Sequence, residues 1–68
     1  MVSYKKLKVL LAEKEISGVE FRKMVNISQS TFTKLNKNEF VSMEVIDRIC
    51  EKLECDISDV VEYVRQSN

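Results

Sequence analysis

The segment that most limits what this chain can fold into is SGVEFRKMVNIS, residues 17–28. Ser17 stands three residues before Glu20, the spacing of a capping box, in which each side chain satisfies a backbone N–H of the other residue at a helix start. Phe21, Met24 and Val25 then make an apolar face of helical period, so a short helix runs to about Val25. Asn26 follows, and Asn tolerates left-handed backbone angles better than any residue but Gly. One apolar residue later, Ser28 is a second helix cap. A helix, a left-handed stop, one apolar residue and a new cap describe two short helices joined by a very tight turn.

The rest of the chain continues in helical period. Tyr4, Leu7, Leu10 and Leu11 form one stripe, which predicts a first helix over residues 3–14 with Ser3 as its cap. The third helix is expected over 28–37, ending in KNEF, where Asn38 can take the left-handed position. Ser42 opens a fourth, with Val45, Ile46, Ile49, Cys50 and Leu53 on one face, and Asp56 can cap a fifth carrying Ile57, Val60, Val61 and Val64. Pro is absent and Gly occurs once, so little would interrupt helices. The expected fold is all-α: a compact five-helix bundle, one domain over residues 1–68, with a helix-turn-helix core at 18–37. A chain of 68 residues has room for one modest core.

Several function classes drop out. There is no His, no acidic pair on an identifiable cleft and no glycine phosphate loop, so nothing can be assigned as acid, base or nucleophile. Cys50 and Cys55 match no zinc or redox spacing and read as reduced thiols packed near a helical core, so neither metal nor cofactor is expected. No apolar run approaches a membrane span, and the basic start lacks both a continuous apolar region and a cleavage site, so the chain reads as cytoplasmic. Net charge is zero, yet it is polarised. Residues 1–38 carry eight basic groups against three acidic, a balance of +5, and residues 39–68 carry three against eight, a balance of −5. Such asymmetry is an interaction signal.

At 100° per residue, Thr31, Phe32 and Leu35 fall on one side of the third helix, and Gln29, Ser30, Thr33, Lys34 and Lys37 on the other. The outer face thus offers an amide, hydroxyls and ammonium groups with no carboxylate. Gln can donate to and accept from adenine together, Ser and Thr can serve either partner, and Lys reaches guanine or phosphate. The first turn of this helix has no acidic side chain, which leaves its positive end open to a phosphate. Phe32 faces the core and is expected to be structural.

On these residues the chain resembles the lambda-repressor/Cro (Xre-type) helix-turn-helix family of small bacterial and phage regulators. GVEFRKMVNISQSTFTKLNK, residues 18–37, is similar to its twenty-residue motif at Phe21, Val25, Ile27, Phe32 and Leu35, and NEFVSMEVIDRICEKLECDISDVVEYV is similar to its downstream helices. Asn26 stands where the family usually has Gly, Gly18 where it usually has Gln, and Arg22 where it prefers Ala. The resemblance implies a DNA-binding transcriptional regulator, a repressor, with the third helix in the major groove and the second across the backbone. The implied DNA-binding residues are Ser17, Ser28, Gln29, Ser30, Thr33, Lys34, Asn36, Lys37 and Asn38, with first-helix lysines adding phosphate contacts. The implied partner is double-stranded DNA with a near-palindromic operator bound by a homodimer, for which the last helix with Tyr63 and Val64 is the candidate surface; no membrane or small-molecule ligand is expected. The alternative is a protein-interaction module of the same fold, an antirepressor or antitoxin partner, which the acidic second half keeps open.

Overall fold

The computed structural model describes residues 1–65, so the last three residues of the expected 1–68 domain lie outside the described ones. In chain order it has a short strand β1 (Val2–Ser3), helices α1 (Lys5–Glu13), α2 (Gly18–Val25), α3 (Gln29–Asn36) and α4 (Met43–Leu53), a 3₁₀ turn (Ile57–Asp59) and a strand β2 (Glu62–Tyr63). Among the described residues no helix is long and apolar enough to cross a membrane.

The three central helices begin as their caps require. Ser17 accepts from the Glu20 N–H at 3.1 Å while the Glu20 carboxylate accepts from the Ser17 N–H at 3.1 Å. That backbone donor holds the Glu20 carboxyl below its ordinary range. Ser28 accepts from the Thr31 N–H at 3.2 Å and Ser42 from the Val45 N–H at 3.3 Å.

The helix ends share one device. Among the described residues, the non-glycine positions with positive φ are Glu15, Asn26, Asn38 and Glu54, and each lies at the end of a helix. In every case the next residue's N–H reaches back to a carbonyl five positions earlier. The pairs are Ile16 to Leu11 (2.9 Å), Ile27 to Arg22 (3.2 Å), Glu39 to Lys34 (2.9 Å) and Cys55 to Cys50 (3.1 Å). This is the Schellman arrangement, which usually recruits Gly. Asn26 and Asn38 meet its left-handed requirement with a tolerant residue, whereas Glu15 and Glu54 carry strain. Glu54→Gly is therefore expected to raise stability by about 0.5–1 kcal/mol, and Asn26→Gly by less. Thermal unfolding of the two variants against the parent measures this, and an unchanged or lower midpoint for Glu54→Gly would refute it. The same motif sets Cys50 and Cys55 at the two positions whose side chains it draws together; both are half-buried free thiols, and burial pushes the Cys55 thiol up.

Two sequence expectations need correction. The all-α bundle has four helices, and the expected fifth is a 3₁₀ turn followed by β2. β2 pairs antiparallel with β1 in the register Val2 to Tyr63 and Ser3 to Glu62. The ladder extends one step further, with the Val64 N–H donating to the Met1 carbonyl at 2.8 Å and the Met1 ammonium to the Val64 carbonyl at 3.1 Å. The stripe Ile57, Val60, Val61, Val64 fits a helix, but only Val60 is fully buried, while Ile57 and Val64 are exposed. Its β-branched residues prefer extended backbone once a partner strand is at hand. For the same reason the first helix does not begin at Ser3. Ser3 belongs to β1, and Tyr4 takes the cap position with no side-chain cap bond.

One core joins these elements: Tyr4 and Leu7 of the first turn and α1, Phe21, Val25 and Ile27 around the central turn, Leu35 of α3, Val45, Ile46, Ile49 and Leu53 of α4, and Val60. Phe32 packs against it half-buried, its ring centroid 6.1 Å from that of Phe21.

Candidate nucleic-acid interface

The α2–α3 pair is held in place from both sides. Within the turn, Asn26 has φ 59 and ψ 55, and Ile27 is buried behind it. From outside, Arg48 of α4 donates through Nη1 to the Asn26 carbonyl at 3.0 Å, occupying an acceptor that the end of α2 exposes. At the far end of α3, the Tyr4 N–H donates to Asn38 Oδ1 at 2.9 Å, and the Tyr4 hydroxyl donates to the Glu39 carbonyl at 2.7 Å. Burial pushes the Tyr4 phenol up, so it keeps the proton it donates. Lys8 Nζ donates to the Asn36 carbonyl at 3.2 Å, a cation at the negative end of α3.

Sequence reasoning did not single out Arg48, Tyr4 and Lys8 for these roles. Their partners lie 22 to 35 positions away along the chain, so no local pattern marks them. A basic residue opposite an unsatisfied helix carbonyl becomes visible only when the helices are packed.

Gly18 and Phe32 meet where α2 and α3 cross. A Cβ added at Gly18 would lie 2.8 Å from Phe32 Cζ, closer than a carbon contact allows. The Phe32 ring must shift to make room, and Phe21 lies beside it with ring centroids 6.1 Å apart. At Gly18, which stands where the resemblance leads one to expect Gln, the space a side chain would enter is filled by the Phe32 ring. Gly18→Ala is expected to cost about 1 kcal/mol, overpacking outweighing the gain in helix propensity. Phe32→Leu should restore most of the Gly18→Ala loss in a double-mutant cycle, and additive losses would clear Phe32 of the conflict. Arg22 lies half-buried on α2, and its Nε is buried without a hydrogen-bond partner. With Val19, Lys23, Asn26 and Ile27 it lines a shallow groove beside the turn.

The expected DNA-binding residues fall into two groups. Gln29, Ser30, Lys34, Asn36 and Lys37 are exposed along α3 and its end. Of these, Gln29 and Ser30 also bond within α3 and its cap, and the remaining four are engaged within the protein. Ser17 and Ser28 spend a side-chain oxygen on capping, and the Ser28 hydroxyl also contacts Ser30 Oγ at 3.0 Å and Thr31 Oγ1 at 3.1 Å. Asn38 uses Oδ1 to hold Tyr4. Thr33, expected on the outer face, is half-buried, and its hydroxyl donates to the Gln29 carbonyl at 2.9 Å. The exposed stretch from Gln29 to Lys37 carries two ammonium groups and no carboxylate, and the first turn of α3 has no acidic residue.

Comparison with known proteins places this helix pair in a known family. Residues 6–66 match the family of Cro/C1-type helix-turn-helix DNA-binding domains. The structure is similar to the crystal structure of transcriptional regulator VanUg, form II, with a TM-score of 0.91 and 46% sequence identity over 96% of this chain and 87% of that one. No curated protein matches the chain. With the family pattern spanning residues 6–66, the chain belongs to the Cro/C1-type helix-turn-helix DNA-binding domain family.

Proposed function

We propose that this protein is a sequence-specific double-stranded DNA-binding transcriptional regulator, acting as a repressor in the cytoplasm, with residues 1–68 forming its single domain. α3 enters the major groove and α2 lies across the backbone. Gln29, Ser30 and Lys34 face base edges, while Lys37, Asn36 and the lysines of α1 meet phosphate. The observation that carries the reading is the exposed, carboxylate-free face of α3, held by capped ends in a chain of this family. One such module covers few base pairs, so it binds as a homodimer on a near-palindrome with half-sites about 34–36 Å apart. The exposed apolar side chains Tyr63 and Val64 of the C-terminal strand region are the surface we assign to the dimer.

The test is selection of bound duplexes from a random pool, followed by titration of the recovered site at several salt concentrations. A recovered site with two-fold symmetry and binding that weakens steeply with salt supports the reading. Failure of the parent protein to bind any duplex would sink it and favour the alternative, an antirepressor or antitoxin partner working through protein contacts alone.

A further inference from the structure

Gln29 and Thr33 face each other one turn apart on α3, and two hydrogen bonds link them. The Thr33 hydroxyl donates to the Gln29 backbone carbonyl at 2.9 Å. Gln29 Nε2 donates to Thr33 Oγ1 at 3.4 Å, a long and weak bond. The first bond decides the sense of the second. A hydroxyl has one proton, and that of Thr33 is committed to the carbonyl. Toward the Gln29 side chain Thr33 can therefore only accept, so the amide must turn its NH₂, and not its oxygen, toward Thr33.

We infer that Thr33 is a positioning residue that sets which edge Gln29 offers to DNA, an inference that rests on the reading of α3 as the recognition helix. With one N–H held by Thr33, Gln29 turns its Oε1 and its second N–H outward. An acceptor and a donor side by side match adenine, which presents the N6 amino group and N7 in the major groove. Without the tether, the terminal amide torsion of Gln is broad and roughly two-fold, so both orientations are populated and binding must select one. Thr33 thus removes part of the ordering cost before DNA arrives. Both bonds lie on the exposed surface of α3, where Gln29 is itself exposed.

The experiment compares the parent with Thr33→Val, Thr33→Ala, Thr33→Ser, Gln29→Ala and the Thr33→Val/Gln29→Ala double variant. Each is titrated against the selected duplex and against duplexes changed at one base pair, after its melting curve has been checked. Val keeps the shape of Thr without the hydroxyl, and Ala is the best helix former, so at least one hydroxyl-free variant stays folded. Thr33→Val and Thr33→Ala should lose roughly three- to tenfold in discrimination, and at the same A·T pair that Gln29→Ala ceases to distinguish. The double variant should be no worse than Gln29→Ala alone, and Thr33→Ser should behave as the parent. Parental discrimination by Thr33→Val, loss at a different base pair, or losses additive with Gln29→Ala would overturn the positioning role and leave the DNA reading standing. Absence of duplex binding by the parent overturns both.

Discussion

Phe21→Ala should leave the protein largely unfolded under physiological conditions. Phe21 is fully buried, and it lies where α2 supports both the Phe32 ring and the α4 core residues. Truncating a buried Phe to Ala costs about 3–5 kcal/mol, because the lost burial is joined by a cavity that the surroundings fill only in part. A domain of 68 residues has about 3–10 kcal/mol in all, at about 0.05–0.15 kcal/mol per residue. The loss therefore equals the whole stability at the low end of that range and removes about a third to a half of it at the high end. Phe32→Ala should be milder, about 2–3 kcal/mol, since its ring is only half-buried and leaves a gap open to water. Thermal or urea unfolding followed by circular dichroism measures both. If Phe32→Ala kept the parental melting curve but lost DNA binding, Phe32 would be a contact residue and the orientation of α3 would be wrong.

Gln29→Ala and Lys37→Ala should weaken DNA binding in different ways. Gln29 is exposed in the first turn of α3, the end we propose to meet the base edges, and Lys37 follows its last turn. Loss of a two-point bond to a base costs about 1–3 kcal/mol on the preferred site and little on unrelated DNA, so Gln29→Ala should lower discrimination. An ammonium group on phosphate carries no sequence information. Lys37→Ala should therefore weaken all duplexes to a similar degree and reduce the salt slope by about one unit. Titration of each variant against the preferred and a scrambled duplex at several salt concentrations separates the two effects. Equal losses on both duplexes for Gln29→Ala would remove it from base readout, and an unchanged salt slope for Lys37→Ala would remove it from the phosphate contacts.

The α2–turn–α3 unit was legible because every signal for it is local. The Ser17–Glu20 box, the left-handed Asn26, the Ser28 cap and the apolar spacing of Phe21, Val25, Ile27 and Leu35 all lie within one short segment, and the structure realises each of them. The start of α4 at Ser42 and the turn at Asn38 were legible on the same grounds. Glu15 and Glu54 gave no sign of their left-handed backbone, because Glu has no preference for it. On the outer face of α3, exposure of Gln29, Ser30, Lys34 and Lys37 followed from helical period, whereas the bond of Thr33 to the Gln29 carbonyl depended on a rotamer that period does not specify.

By itself, then, the amino-acid sequence determined the first four of the five helices it led us to expect, the tight central turn, most of the core positions (Met24, expected on the apolar face of α2, is exposed) and the family they belong to, since caps and periodicity act over a few residues. The tertiary structure alone decided the two ends of the chain. Residues 57–64 carry a helical stripe and β-branched side chains at once, and the choice went to the extended form because Val2 and Ser3 arrive to pair with Tyr63 and Glu62 from the opposite end of the sequence. It also brought Gly18 against Phe32, whose Cζ lies 2.8 Å from where a Cβ would stand. The supports of α3 likewise came from tertiary packing: the Arg48, Tyr4 and Lys8 bonds link groups remote in sequence, and their energy exists only once the helices have met.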